Sequence, residues 1–533
     1  MLHCSVSDDG RGEHCSACLE LHEIQSKIRE CKELLDKLYI QEAHAKSSVN
    51  AEHDLIIRQL PLELVSDIFT LSNPSPAERG SSLLGDTPVA TQRFQFSLGA
   101  VCTAWRNIVR STPQLWTNIW IRLQIRAELP QMEFLLLSLR LSGSLSLHIY
   151  AWVPQRHEPL EEDYPMLLSL FEVLNDHSER WKTLDLCLTS RLMSHITWVS
   201  PGSPNLEQLR IRPAIPNQID SPFRLSFGLP SPRIVNAHEI PFQSIGIGWK
   251  NTTHVRLGLL TVGECLELFR QATQLEDFVV SFLCGNPEPF ESGEIVTVPN
   301  LTSWSVKFAE NSDVLLRKIR LPSLVHLQVE MYTSYDSLEH LFTCSNCPLR
   351  TICLNETISD YVDVIPIFRA TPLLEKVVLF YATSTAIHEL LDILARTKVV
   401  DDLSQDPFLP HLKSLSLIEM EYYPPPWHLV PSLFPPTQQP VNVKYRPLQK
   451  LEFLLSIGVF GNSDYLNKDI VLQLVEIRRR DYDLIIWNDD ADADGDFIQV
   501  SCDYHFGGQI DTADHLGVED GEETDEEGAD VAG

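Results

Sequence analysis

No stretch of this chain approaches the roughly 18 uninterrupted apolar residues of a membrane-spanning helix, so no transmembrane segment is expected. The opening Met1-Leu2-His3-Cys4-Ser5 has no basic stretch followed by an apolar run, which speaks against a secretory signal. Lys and Arg number 42 against 73 Asp and Glu, a formal net charge of −31. That balance argues against a nucleic-acid partner, whose phosphates need clustered Lys and Arg, and against a polybasic membrane anchor. The expected setting is soluble, cytoplasmic or nuclear and not secreted. The sequons at Asn251, Asn300 and Asn355 are then chance matches.

Catalytic signatures are missing as well. No Gly-x-x-x-x-Gly-Lys-Ser/Thr, Gly-x-Gly-x-x-Gly, Gly-x-Ser-x-Gly or His-Glu-x-x-His occurs, and no enzyme activity or cofactor is expected. His14, Cys15, Cys18 and His22 look like half a zinc site, but the second Cys-x-x-Cys, Cys344 and Cys347, lies far off in another unit, and no metal is expected. Asp490, Asp492, Asp494, Gly495 and Asp496 imitate an EF-hand start. Ser501 stands where the bidentate Glu belongs and no helix pattern follows.

What is present is uneven. From Asp489 to Gly533 there are 16 acidic residues and no Lys or Arg, leaving −15 on the preceding 488. This stretch reads as a disordered acidic tail, residues 489–533. Residues 1–18 are polar and read as a flexible N-terminus. Over 19–50, Leu21, Ile24, Ile28, Cys31, Leu35 and Leu38 form an a/d heptad seam flanked by Glu, Lys and Arg. Either this helix folds back on the neighbouring segment, the expectation slightly preferred, or residues 21–38 mediate self-association.

Residues 57–120 hold two amphipathic pieces. After Pro61, which a first helical turn tolerates, Leu64, Val65, Ile68 and Phe69 recur as one wide apolar stripe. After a polar insert at 71–97, Val101, Trp105, Ile108 and Val109 do the same, and Leu115-Trp116 closes the segment. About three short helices then share a very small core, too small to satisfy all of this apolar surface. Some of it should face a partner.

The order Leu60-Pro61-x-Glu63-Leu64-x-x-x-Ile68-Phe69, Val101-Cys102-x-x-Trp105-Arg106, Pro113-x-Leu115-Trp116 resembles the F-box. The resemblance implies a helical module that binds the Skp-type adaptor of a cullin-RING ubiquitin ligase. Its contact and core pattern would fall on Leu60, Pro61, Leu64, Ile68, Phe69, Val101, Cys102, Trp105, Leu115 and Trp116. The insert is longer than in compact F-boxes.

Beyond it, over 130–488, a Leu-x-x-Leu-x-Leu pattern repeats with other apolar residues allowed. Copies start at Trp181, Leu206, Thr252, Leu275, Leu301, Leu324, Leu349, Leu374, Leu412 and Leu448. Most are 23–26 residues apart; the gap of 46 after Leu206 has room for one unrecognised copy, and the last gaps, 38 and 36, imply insertions. Each copy reads as a short strand with one buried face, the stretches between as helices, and 481–487 as a final strand. The Pro-rich 421–447 reads as a loop interrupting a repeat. This resembles an irregular leucine-rich repeat solenoid, so the expected fold is α+β or α/β, with helical N-terminal modules before the array. The expected function is a non-catalytic adaptor that holds a ligase at one end and an unknown substrate protein at the other. The alternative is a scaffold whose F-box delivers nothing.

Overall fold

The computed structural model describes residues 16–53, 55–73, 94–123, 130–154, 161–162, 164–197, 206–215, 230–285, 295–309, 312–330, 335–355, 364–381, 384–400, 407–420, 425–437, 443–455, 465–488 and 496–507. It is mixed α/β, with a large parallel sheet of 14 strands, and divides into two compact units, Met1–Asp185 and Leu186–Gly533.

The first unit opens with helices α1 (Ser16–His53), α2 (Leu55–Gln59), α3 (Leu62–Leu71), α4 (Phe94–Val101) and α5 (Thr103–Ser111), then a 3-10 turn, Pro113–Trp116. Strand β1 (Asn118–Arg122), helix α6 (Pro130–Leu141), strand β2 (Leu147–Trp152) and helix Tyr164–Asn175 lead to β3 (Trp181–Leu188). β1 and β2 run parallel, Ile119 beside Ile149 and Ile121 beside Ala151, with Trp120 stacked on Tyr150 at 4.1 Å.

The second unit carries β4 (Gln208–Pro213), β5 (Ile234–Ala237), β6 (His254–Thr261), β7 (Asp277–Cys284), β8 (Ser303–Ala309), β9 (His326–Glu330), β10 (Thr351–Asn355), β11 (Lys376–Phe380), β12 (Ser414–Met420), β13 (Lys450–Leu455) and β14 (Asp483–Asn488). Spatial order follows chain order, and neighbouring strands are parallel. The repeat explains the register. Its second positions, Leu209, Val235, Val255, Phe278, Trp304, Leu327, Ile352, Val377, Leu415, Leu451 and Leu484, face one another strand by strand, so one apolar row lies beneath the sheet. All of these are buried. Helices such as Val262–Gln271 and Tyr335–Ser345 separate the strands, and the former begins with a capping box. Thr261 accepts from the Glu264 amide at 3.2 Å while Glu264 accepts from the Thr261 amide at 2.9 Å.

Several boundaries differ from those expected. The strand array begins at Asn118 rather than near 130, and the first unit extends to Asp185, because Phe134, Leu137 and Leu141 of α6 continue the apolar core of the short helices. The copy missing from the 46-residue gap is β5, whose Val235 and Ala237 lack a leucine entry. Helix α1 runs from Ser16 to His53, past both ends of the expected 19–50, with no Gly or Pro to stop it. Helix α4 starts at Phe94, so the insert can occupy only part of 71–97; residues 74–93 lie outside the described residues, as do 1–15, 489–495 and 508–533.

The segment from 489 also contains a helix, Phe497–Phe506, where a disordered tail was expected. Phe497, Ile498, Ser501 and Cys502 form a buried stripe at i, i+1, i+4 and i+5 that the acidic composition conceals. Asp496 caps it, accepting from the Ile498 amide at 3.1 Å, and Gly507 closes it with φ +61°. Within 421–447, Trp427 and Val430 are buried and Trp427 sits edge-on to Phe453 at 5.1 Å. That part of the Pro-rich interruption is packed into the unit.

Candidate docking surfaces

The helical module of the first unit has a core of six fully buried side chains: Val65, Phe69, Ile108, Val109, Leu115 and Trp116. Ile56, Ile57, Leu60, Phe94, Leu98 and Trp105 pack on it in part. Phe69 and Trp105 meet at 4.6 Å between ring centres. Polar groups fasten the closing turn: Trp116 Nε1 donates to the Val109 carbonyl at 2.8 Å, and the Gln95 amide donates to the Leu115 carbonyl at 2.6 Å. The Thr112 hydroxyl donates to the Ile108 carbonyl at 2.7 Å.

Helix α3 divides its apolar residues between two faces. Val65 and Phe69 go into the core, whereas Leu64, Ile68 and Leu71, at i, i+4 and i+7, are 49%, 39% and 86% exposed. The spacing puts those three on one stripe about a quarter-turn from the core-facing one. Leu62 on the same helix is also exposed. Three large aliphatic side chains held in water on a single helix face are worth about 1.5–3 kcal/mol each when something buries them fully.

The residues to which the resemblance gives contact or core roles therefore fall into three groups. Pro61, Leu64 and Ile68 are exposed; Leu60, Val101 and Trp105 are half-buried. Phe69, Cys102, Leu115 and Trp116 are buried, in the core positions of the pattern. Cys102 holds the N-cap position of α5 in an extended conformation. Leu71 escaped the motif because it lies beyond Phe69, although its spacing from Leu64 and Ile68 marks it; Leu62, at an unspecified position two residues before Leu64, lies on another face of the helix.

In the second unit, the open face of the sheet carries the alternate residues of each strand. Over β8 to β10 these are Ser305, Lys307, Gln328, Cys353 and Asn355, none of them a large apolar side chain. Across β11–β14 they stay mixed at Val378, Ser416, Glu452 and Ile485, and the next register position is apolar throughout. Phe380, Ile418, Leu454 and Trp487 stand in register across β11–β14, the first three half-buried and Trp487 43% exposed. With strands about 4.8 Å apart the row is about 14 Å long. Its signal is visible in the chain: Val377-Val378-Leu379-Phe380 and Leu484-Ile485-Ile486-Trp487 run apolar without alternation, unlike Leu327-Gln328-Val329-Glu330.

At the strand entrances Glu375 accepts from Lys413 at 2.6 Å and pairs with Arg350. The Lys413 hydrogen bond, aided by Arg350, holds the Glu375 carboxyl below the usual carboxylate range. Beneath this unit Arg446, 2% exposed, donates to the carbonyls of Leu394 (2.8 Å), Phe408 (2.8 Å), Thr397 (2.9 Å) and Leu409 (3.0 Å). Burial lowers its pKa to about 10, so it remains a cation at neutral pH. Arg478 forms a fork with Asp496, 2.6 and 3.0 Å, and donates to the Leu484 carbonyl at 2.8 Å. Its neighbour Arg480 donates to the Pro435 carbonyl at 2.8 Å. Arg478 and Arg480, at the end of helix Lys468–Arg478, thus hold tertiary contacts.

Among the described residues no group of three or more His, Cys, Asp or Glu is arranged to hold a metal ion. Cys344 lies 3.6 Å from a ring nitrogen of His340, and Asp496 is engaged by Arg478. No described helix is long and apolar enough to cross a membrane. No protein-family model matches the chain, and no curated protein is detectably similar to it.

Proposed function

We propose that the helical module is an F-box and that the chain is the substrate receptor of a Skp-cullin-F-box type ubiquitin ligase. The observation that carries this reading is α3, which uses Val65 and Phe69 to hold the module together and leaves Leu64, Ile68 and Leu71 in water. An apolar stripe fixed on a small rigid core is what an adaptor needs for helix-against-helix docking. Pro61 and Leu60 extend the contact at the start of α3, with Trp105 at its edge.

The strand-and-helix repeats are then a leucine-rich repeat solenoid, and its open face supplies the substrate surface. The row Phe380, Ile418, Leu454 and Trp487 suits an apolar anchor on the substrate protein, the kind of contact that dominates binding energy in protein interfaces. In this reading the chain contributes proximity and orientation while other subunits make the bond.

The test is co-purification with a Skp-type adaptor. The wild-type chain should recover it, and Leu64→Asp/Ile68→Asp should not, at equal expression and equal unfolding midpoint. Equal recovery by both would remove the assignment. Delivery is tested separately: a protein captured by proximity labelling through the wild-type repeats, but not through Phe380→Asp/Trp487→Asp, should accumulate when the cullin is inhibited. Capture without accumulation would favour the scaffold reading.

A further inference from the structure

Helix α1 is 38 residues long, about 57 Å, and is apolar along one seam. Leu21, Ile24, Ile28, Cys31, Leu35 and Leu38 follow a and d heptad positions, and all six are exposed, the five aliphatic ones by 47–56%. The expectation that this seam folds back on the helical module is not met. Ile56, Ile57 and Leu60 of the α2 region and Phe94 and Leu98 of α4 already pack on the module core. The seam instead lines a shallow apolar groove bounded by Ile24, Lys27, Ile28, Cys31, Lys32 and Leu35. These six make two overlapping sets of four, Ile24-Lys27-Ile28-Cys31 and Ile28-Cys31-Lys32-Leu35. Each set is the hole into which a coiled-coil partner inserts one side chain.

We infer that the occupant is a second copy of α1, running antiparallel. The seam is complementary to itself in that direction. Pairing Leu21 with Leu38, Ile24 with Leu35 and Ile28 with Cys31 of the second copy, and the reverse, uses all six positions in six layers and leaves none unpaired. Small Cys31 is thereby set against branched Ile28, evening out the layer volume. Charge decides the direction. In a parallel pair, Lys27 at g would face Lys32 at e of the other helix, twice over. In the antiparallel pair the flanking contacts become Lys27 with Leu34, Gln25 with Lys32 and Glu20 with Gln41, and no like charges meet. Lys27 is bridged to Glu23 on its own helix at 2.7 Å. Antiparallel packing also sets the helix dipoles head to tail. Six layers make a small interface, so association is reversible and concentration-dependent.

The experiment uses the full chain in sedimentation velocity across a dilution series. Mass should double at high concentration and fall to that of the monomer on dilution, and Ile28→Glu/Leu35→Glu should hold the monomer mass throughout with an unchanged unfolding midpoint. A wild-type monomer at every concentration, or a dimer indifferent to both substitutions, would overturn the inference. Direction is read by mild oxidation and peptide mapping. The antiparallel register predicts that Ile28→Cys creates a cross-link from the introduced thiol to Cys31 of the second copy, whereas the wild type gives no Cys31–Cys31 link. An abundant Cys31–Cys31 link in the wild-type dimer would show a parallel pair and overturn the proposed arrangement. None of these readouts depends on the F-box reading.

Discussion

The helical module and the strand array bury their apolar residues in different ways. The array meets each strand's inward row with the rows of its neighbours and with a layer of helices, so Leu209 through Leu484 are sealed. The module is too small for that closure: α3 seals Val65 and Phe69 and leaves Leu64, Ile68 and Leu71 outside. A surface that the array covers with its next repeat, the module leaves exposed on α3.

The comparison is broken most severely by truncating a residue that holds either region together. Phe69→Ala removes a buried ring in contact with Trp105 and should cost about 3–5 kcal/mol, seen as early loss of the first unit's near-UV signal in urea. Leu64→Asp, one helical turn away on the wet face, should leave that midpoint within about 0.5 kcal/mol. In the second unit Arg446→Ala should also cost about 3–5 kcal/mol, because four carbonyls, three of them buried, lose their donor. The cation carries a burial penalty that is fully present at neutral pH and is relieved only as pH rises through about 10.

A smaller effect distinguishes the end of the array. Asp496→Ala leaves Arg478 buried without its fork and uncaps helix Phe497–Phe506, for a cost of about 2–3 kcal/mol and faster amide exchange confined to that helix and β14. Smallest of all is the exposed ladder at Glu375. Its carboxyl is held below the ordinary range by Lys413 and Arg350, so its contribution is whole above that range and is lost as the pH falls through the lowered value. Glu375→Gln should flatten this acid dependence and change little else at neutral pH.

How far these features were legible follows from periodicity. The ten motif copies all lie on strands because an apolar residue two positions after another is the direct imprint of a half-buried strand. β5 was hidden because Ala237 fills a place where the pattern asks for a large side chain, and helix Phe497–Phe506 because charge composition outweighed a four-residue stripe. In the module, the wide stripe Leu64-Val65-Ile68-Phe69 was readable, but its division was not: which half turns inward depends on where Ile108, Val109 and Trp116 arrive from. The seam of α1 was equally plain as a pattern. Its exposure depends on whether other residues already fill the module core, which no local sequence feature records.

The most direct measurement is titration calorimetry of the purified chain with a Skp-type adaptor, comparing wild type with Leu64→Asp/Ile68→Asp. The account predicts one-to-one binding with a negative heat-capacity change, and a loss of at least about a hundredfold, roughly 2.7 kcal/mol, in the variant at an unaltered unfolding midpoint. Binding of equal strength by both proteins, or no binding by the folded wild type, would contradict it.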